Sequence, residues 1–232
     1  MGIKLIGKIC IVTLYIVGIA AFSALAILIA SGYRINYSTG RIYKVSIVRF
    51  VSDPVAEIEI NGQKTAYKTP NAIYLVPGNY NFYLKKDGYT PINMYVTLGS
   101  GSLYELKDIT LFKSNLTPNI QEITNPNPSE QIDSSLLTPN SNLFIAFDHE
   151  IWAKDKLVTR LASNIKSAAY YTNNSYIIYQ TDTFVGVVRI DGTNNQKLFN
   201  YTSDYQLHFN FKNRGQTLEA SDYKNTISAT IN

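Results

Sequence analysis

Residues 52–89 of the chain read SDPVAEIEINGQKTAYKTPNAIYLVPGNYNFYLKKDGY. Apolar and polar side chains alternate here, most regularly over Glu57–Ile60, which is the pattern of a half-buried strand. Each alternating run stops at a turn sequence, namely Asn61-Gly62, Thr69-Pro70, Pro77-Gly78 and Lys86-Asp87-Gly88. Asn-Gly between two strand-like runs predicts a hairpin, because both residues accept positive φ. The stretch therefore predicts consecutive antiparallel strands and an all-β fold class.

The same pattern extends on both sides of this stretch. Apolar positions begin at Val45, and alternation continues through Val96 and Leu98 to a last strand over residues 103–112. A run of roughly six strands separated by turns predicts a small antiparallel β-sandwich over residues 44–113.

The order of these residues resembles the PEGA domain family. The resemblance rests on Ser52-Asp53-Pro54 before Ala56, on the Asn61-Gly62 and Thr69-Pro70 turns, and on residues 75–80, 85–89 and 96–98. The family's Pro-Glu-Gly-Ala is represented here by the shorter Pro54-Val55-Ala56. The resemblance implies an extracytoplasmic β-domain of surface and envelope proteins, whose motif residues are structural and not catalytic.

Before the β-region, residues 9–30 form an uncharged and almost wholly apolar run. As a helix this run spans roughly 33 Å, enough for a hydrocarbon core of about 30 Å. It predicts an N-terminal tail and transmembrane signal anchor over residues 1–30, embedded in the lipid bilayer through residues 9–30, and a juxtamembrane segment over 31–43. A buried core helix is rarely so long without a charge. A cleaved signal peptide has a shorter apolar region, although Ala24-Leu25-Ala26 fits a cleavage site. A lipoprotein signal is excluded, because Cys10 opens the run instead of following it.

Basic residues flank the run on both sides, so charge alone leaves the orientation open. They are Lys4 and Lys8 before it, and Arg34, Arg41, Lys44 and Arg49 after it. The β-domains favour a single-pass protein of the cell membrane with a cytoplasmic N-terminus and extracytoplasmic C-terminal domains.

The composition excludes some classes of function. The 232 residues contain 21 basic and 17 acidic side chains. Since Lys4 and Lys8 lie in the anchor, residues 31–232 are nearly neutral, which argues against nucleic acid as a partner. A single cysteine excludes a disulfide framework and a cysteine-based zinc site.

The remainder of the chain predicts a linker and a second β-domain. Residues 114–135 are rich in Pro, Asn and Ser without periodicity, which predicts an extended linker. Residues 136–232 contain two to three repeats: 139–147 align with 172–180, 151–153 with 187–189, 160–161 with 197–198, and 213–218 form a weaker third copy. Their spacing and local sequence resemble TolB-type and WD-type propeller blades, which implies blade-like β-repeats. Because closed propellers need about four to eight blades, the alternatives are an open array, a truncated propeller from a larger surface protein, and an assembly of copies.

Several groups of residues are candidates for chemistry. Asp148-His149-Glu150 suggests a metal site, but adjacent strand residues point to opposite faces and cannot converge, so a hairpin turn or exposed strand end is predicted. Glu57 and Glu59 share one strand face, whereas glycosidase carboxylates come from different elements. Residues 191–194, Asp-Gly-Thr-Asn, predict a β-turn and lack the oxygen ligands of a calcium loop.

Two further sets of residues carry weaker signals. Five tyrosines of the β-sandwich are a candidate glycan platform, although Tyr is also a common strand residue, and the structural role is favoured. They are Tyr74, Tyr80, Tyr83, Tyr89 and Tyr95. The N-x-S/T triplets at Asn36, Asn115, Asn173 and Asn200 matter only in a eukaryotic secretory pathway. No catalytic, cofactor-binding or metal-binding residue is predicted, and no cofactor.

The leading hypothesis is a membrane-anchored cell-surface or envelope protein that acts as a non-catalytic binding or scaffolding module for a protein or glycan. One alternative is an envelope hydrolase acting on glycan or peptide, for which Asp148 and Glu150 are the first residues to test. Another is a fragment of a larger propeller-containing surface protein. A signalling co-receptor is disfavoured, because the tail before the anchor has only about eight residues.

Overall fold

A computed structural model describes residues 2–36, 40–123, 143–171 and 174–232, with side chains from Ile11 onward except that of Asn36. The described chain is mostly β-strand with a single α-helix, so the all-β expectation for the region after the N-terminal helix is confirmed. It forms two compact units. Unit 1 comprises Met1–Phe50, Asn71–Asn81 and Tyr95–Leu106, and unit 2 comprises Val51–Pro70, Phe82–Met94 and Lys107–Asn232.

Unit 1 begins with the helix α1 (Gly2–Ala30). Within it, Ile11–Ala30 is long and apolar enough to cross a membrane, and its side chains are exposed because none of the described residues packs over them. A helix satisfies all of its internal backbone hydrogen bonds, as a lipid-embedded segment must. The helix ends at Ala30 and is followed by a turn in which Gly32 has a φ of 86°, in the left-handed region that glycine favours. The predicted N-terminal apolar helix is therefore present, and it is long enough to span a membrane.

The strands that follow are β1 (Tyr33–Asn36), β2 (Arg41–Lys44), β3 (Ser46–Asp53), β4 (Glu57–Ile60), β5 (Gln63–Lys68), β6 (Asn71–Leu75), β7 (Gly78–Lys85), β8 (Ile92–Leu98) and β9 (Leu103–Thr110). Strands β1 and β2 pair as a separate antiparallel hairpin. The others form a three-stranded sheet ordered β6-β3-β9 and a four-stranded sheet ordered β5-β4-β7-β8.

Alternation along these strands has the expected period of two. Ser46, Val48 and Phe50 of β3 are buried, as are Phe82 and Leu84 of β7. The predicted Asn61-Gly62 hairpin is confirmed, since Asn61 has a φ of 51° and Gly62 a φ of 76° between β4 and β5. Strand β5 itself is mostly exposed, so it carries no apolar pattern that would reveal it in the sequence.

The C-terminal strands all lie in unit 2. They are β10 (Asn119–Glu122), β11 (Leu143–Ala146), β12 (Glu150–Ala153), β13 (Lys156–Arg160), β14 (Ile165–Tyr170), β15 (Tyr176–Thr181), β16 (Phe184–Arg189), β17 (Gln196–Asn200), β18 (His208–Lys212), β19 (Thr217–Ser221) and β20 (Asn225–Thr230). They form three open antiparallel sheets, ordered β11-β12-β13, β14-β15-β16-β17 and β10-β20-β19-β18. None of these sheets closes on itself, so the propeller-like arrangement stays a prediction.

The segment predicted as a linker contributes a strand to the last of these sheets. Strand β10 pairs with β20, with Asn119 opposite Ser228 and Glu122 opposite Asn225. All four β10 side chains are exposed, so the pairing depends on backbone hydrogen bonds and leaves no apolar pattern in the sequence. Residues 124–135 of the predicted linker, and residues 139–142 and 172–173 of the aligned repeats, lie outside the described residues.

The end of the predicted sandwich lies in the core of unit 2. Phe112 is fully buried in one cluster with Tyr171, Tyr176 and other apolar residues of the C-terminal sheets. Its ring meets those of Tyr171 and Tyr176 edge to face, at centroid distances of 5.5 and 5.3 Å. The Lys113 N–H donates to the carbonyl of Ile231 at 2.9 Å. Phe112, at the end of the predicted sandwich, therefore belongs to a hydrophobic core formed with residues far along the chain.

Candidate functional site

The sheet β11-β12-β13 exposes one of its faces. Along β12, Ile151 and Ala153 are buried in a core cluster with Val158 and Ile165. Because strand side chains alternate, Glu150 and Trp152 lie on the opposite face. This alternation determines which β12 side chains lie on the face that is not packed against the core.

Aromatic and aliphatic side chains occupy that opposite face. Phe144 of β11 lies directly across from Trp152, and Trp152 lies across from Leu157 of β13. The Phe144 and Trp152 rings are nearly parallel, with centroids 6.1 Å apart and an interplanar angle of 8°. Phe144 is 48% exposed and Leu157 37%. These three residues, Phe144, Trp152 and Leu157, are called the aromatic face below.

A buried carboxylate borders the aromatic face. Glu150 accepts a 2.7 Å hydrogen bond from the Trp152 indole N–H on one oxygen and a 2.7 Å bond from the Arg160 Nε on the other. A second guanidinium nitrogen of Arg160 also pairs with it, although most of the Arg160 side chain is exposed. The hydrogen bond from Trp152, followed by that from Arg160, holds the pKa of Glu150 below its ordinary value.

An open pocket of about 480 Å³ adjoins this ion pair. It is lined by Phe147, His149, Glu150, Arg160, Leu161 and Ala162. Phe147 and Asp148 both have positive φ, at 52° and 58°, and the turn that they form leaves the Phe147 side chain 86% exposed. The pocket thus combines an exposed ring with the accessible part of a guanidinium group.

In the turn that the sequence suggested as a metal site, the backbone carbonyl groups accept hydrogen bonds from other parts of the chain. The carbonyl of Asp148 accepts from the Ile165 N–H at 2.7 Å, and that of His149 accepts from the Leu161 N–H at 2.9 Å. The His149 Nδ1 lies 3.2 Å from the carbonyl oxygen of Ser163. Within the described ranges, no group of three His, Cys, Asp or Glu side chains is arranged to hold a metal ion.

The other predicted acidic groups have partners close to them in sequence. Glu57 forms an ion pair with Lys68 at 3.2 Å across the β4–β5 hairpin. Asp191 accepts from the Thr193 N–H at 3.0 Å in a turn where Gly192 has a φ of 89°. Of the N-x-S/T triplets, Asn173 and the side chain of Asn36 lie outside the described residues.

Four of the five candidate tyrosines are distributed over both sheets of the β3–β9 region, and Tyr89 lies outside the strands in an isolated bridge with Lys113. Tyr74 is on β6, in the three-stranded sheet, whereas Tyr80, Tyr83 and Tyr95 are on strands of the four-stranded sheet. Tyr80 and Tyr83, three residues apart on β7, project from opposite faces. Tyr80 also donates to the Val76 carbonyl at 2.9 Å. This distribution does not assemble the five rings into one platform.

A second carboxylate cluster stabilises the turn between β19 and β20. Asp222 accepts from the Tyr201 and Ser203 hydroxyls at 2.5 and 2.6 Å, and from the backbone N–H groups of Lys224 and Asn225 at 2.8 and 2.7 Å. Burial opposes its ionisation, but the bonds from Ser203 and Tyr201 prevail and lower its pKa. Burial and Asp222 together raise the pKa of Tyr201 to about 12.

The residues behind the family resemblance form a local hydrogen-bond cluster. The Thr69 hydroxyl accepts from the Ala56 N–H at 2.9 Å and lies 2.6 Å from the Ser52 hydroxyl. Ser52 in turn donates to the Pro54 carbonyl at 2.8 Å. Thr69 and Ala56 are buried, so these bonds satisfy groups that water does not reach. Residues 47–114 match the PEGA domain. The PEGA motif residues of this chain therefore fix the connections between strands. No curated protein matches the chain.

The sequence reasoning missed the aromatic face and the role of Arg160. One signal was available, because Phe144 and Trp152 lie four residues before and after Asp148, and a hairpin centred there places them opposite each other. The pairing of Glu150 with Arg160 had no such signal, since it depends on a β-bulge between β12 and β13.

Proposed function

We propose that this chain is a single-pass, membrane-anchored protein of the cell envelope, whose β-region binds a protein or a glycan without catalysing a reaction. The α1 helix supports the membrane anchor, and the PEGA match supports an extracytoplasmic position for the β-region. In this orientation the N-terminus is cytoplasmic.

The aromatic face is the observation that carries the binding function. Accessible, nearly parallel rings offer flat apolar surface at low conformational cost, and aromatic side chains with Arg dominate the energetics of many binding sites. Phe144 is exposed and Trp152 is half-buried. Here Trp152, which stacks on Phe144, shares its partner Glu150 with Arg160, whose exposed guanidinium retains N–H groups for a polar ligand. A ligand with both an apolar face and hydrogen-bond acceptors fits this combination.

The state of Glu150 favours binding over hydrolysis. A general acid needs a raised pKa, whereas the pKa of Glu150 is lowered and both of its oxygens accept hydrogen bonds from the protein. We therefore assign Glu150 to positioning Trp152 and Arg160.

The C-terminal sheets are proposed to be blade-like repeats. The support is positional, since the sequence alignment matches residues of β11, β12 and β13 with residues of β15, β16 and β17 in the same order. Both sets form consecutive antiparallel strands.

The test is binding by the full-length chain in detergent to an array of defined envelope glycans and to purified envelope proteins. Trp152→Ala is expected to weaken binding at least tenfold, and Tyr67→Ala, which removes a half-exposed ring on β5, is expected to leave it unchanged. Equal binding by both variants would exclude the aromatic face as the binding site. Orientation is tested separately: external protease should remove the mass after residue 31 from intact cells, and protection of that mass would contradict it.

A further inference from the structure

The hairpin β1–β2 lies immediately beyond the membrane-spanning helix. Helix α1 ends at Ala30 and β1 begins at Tyr33, so only residues 31 and 32 intervene. Two residues span at most about 7 Å. The headgroup layer on each side of a bilayer is about 5–8 Å thick. A chain leaving the hydrocarbon core at Ala30 therefore begins this hairpin within or at the edge of the headgroup layer.

Hydrogen bonds hold the hairpin to the helix end. The Nη1 of Arg34 donates to the carbonyls of Ile29 and Tyr33, each at 2.9 Å. The Val45 N–H, just after β2, donates to the Gly32 carbonyl at 2.9 Å. Both ends of the hairpin are thus tied to residues at or next to the helix terminus.

The two faces of the hairpin differ in chemistry. Ile35 lies directly opposite Ile42, and Arg34 lies opposite Tyr43. Both isoleucines remain exposed, at 46% and 59%, although they form a cross-strand apolar pair. Arg34 and Arg41 lie on the other face and are also exposed. Lys44 lies on the isoleucine face, at the end of the hairpin next to the helix, and is exposed as well. A two-stranded hairpin is marginally stable unless its apolar face is packed against something.

The charge of this part of the chain matches an anionic surface. Four of the 21 basic residues lie between the helix and Asp53, and all 17 acidic residues lie at Asp53 or beyond. Juxtamembrane basic residues are attracted to anionic lipids within about one Debye length of the surface.

We infer that the β1–β2 hairpin is a lipid-binding element lying in the membrane interface, with Ile35 and Ile42 against the acyl chains and Arg34 and Arg41 on the phosphates of anionic phospholipids. This inference rests on the proposed function, since it requires α1 to span the bilayer. Long arginine side chains reach sideways to the phosphate level while the apolar face is immersed, as in other amphipathic interfacial elements.

Position-specific labelling of the full-length chain tests the inference. Cys10→Ser provides a cysteine-free background, into which Ile42→Cys or Tyr43→Cys is introduced and labelled with the environment-sensitive fluorophore NBD. These neighbours lie on opposite faces of the same strand, so each is the control for the other. The chain is reconstituted into phosphatidylcholine vesicles containing a quarter phosphatidylglycerol and acyl-brominated lipid.

We expect brominated lipid to quench the label at residue 42 at least threefold more than the label at 43, and aqueous iodide to show the reverse order. Arg41→Gln should lower the fraction of chains whose hairpin contacts lipid roughly fivefold in these vesicles, which is the effect of one basic residue near an anionic surface. Arg41→Lys should restore that fraction. Equal quenching of both labels by lipid, or quenching of both by iodide alone, would overturn the inference. Failure of the chain to float with vesicles after alkaline extraction would instead refute the membrane anchor.

Discussion

Replacing Phe112 by alanine tests whether the PEGA region and the C-terminal sheets unfold together. Phe112 lies within the residues that match the PEGA domain, yet its fully buried ring packs between Tyr171 and Tyr176. If the two regions were independent domains joined by a linker, truncating this ring would leave the C-terminal sheets intact. If Phe112 is instead part of a core shared by both regions, the substitution destabilises the C-terminal sheets.

The expected loss is about 4 kcal/mol. Phe→Ala in a core costs about 3–5 kcal/mol through lost burial and the cavity left behind. The two edge-to-face contacts, each contributing about 0.5–1.5 kcal/mol beyond burial, place Phe112 in the upper half of that range. With a urea m-value of about 2 kcal/mol/M, the unfolding midpoint should fall by about 2 M.

The chain has one tryptophan, Trp152 on β12, so its fluorescence reports unfolding of the C-terminal sheets. Urea titrations of the full-length chain in detergent compare Phe112→Ala with Phe112→Leu, expected to shift the midpoint by about 0.5 M. Tyr67→Ala, on the mostly exposed β5, should shift it by less than about 0.3 M. A Trp152 midpoint that is the same in Phe112→Ala and the unmodified chain would refute the shared core.

Three further substitutions are expected to change the same urea midpoint. Thr69→Val leaves the buried Ala56 N–H without its acceptor and should lower the free energy of unfolding by about 1–3 kcal/mol. Thr69→Ser keeps the hydroxyl and should cost under half as much. Equal losses in the two variants would contradict the hydrogen-bond role. The folded pKa of Asp222 lies below its unfolded value, so the stability that its ionised form contributes is complete above about pH 4 and lost as the pH falls through the folded value. The midpoint difference between the unmodified chain and Asp222→Asn should therefore be constant from pH 7 to 5 and shrink between pH 4 and 2; a difference that grows on acidification would show that the sign is wrong. Gly186→Ala places a Cβ 2.5 Å from the Tyr179 ring and should cost about 1–3 kcal/mol, a loss that a Tyr179→Leu background should relieve.

The sequence predicted elements whose signal is local. The Asn61-Gly62 hairpin, the alternation of β7 and the apolar run of α1 each follow from a few consecutive residues, and the structure has all three. Strands β5 and β10 escaped prediction because their side chains are exposed and their pairing depends on the backbone. The burial of Phe112 beside Tyr171 also had no local signal, since the rings come from distant parts of the chain.

The candidate site was predictable only in part. The turn at Asp148 was expected, and its hairpin places Phe144 opposite Trp152. That Glu150 would pair with Arg160 follows from a bulge that shifts the β12–β13 register by one residue. A one-residue shift changes which side chains share a face. Nothing in the sequence of β13 indicates this bulge.

The net charge of +4 is distributed unevenly along the chain, and this distribution bears on both proposals. The segment before Asp53 carries six basic residues and no acidic one, so the residues from Asp53 on carry 15 basic and 17 acidic side chains. An anionic bilayer therefore attracts the segment next to the helix and exerts no net attraction on the rest. High salt should accordingly weaken the hairpin's contact with lipid while leaving binding at the aromatic face nearly unchanged, because stacking on Phe144 and Trp152 is not screened by ions. A salt dependence of equal size in both assays would mean that Arg160, and not the rings, dominates ligand binding.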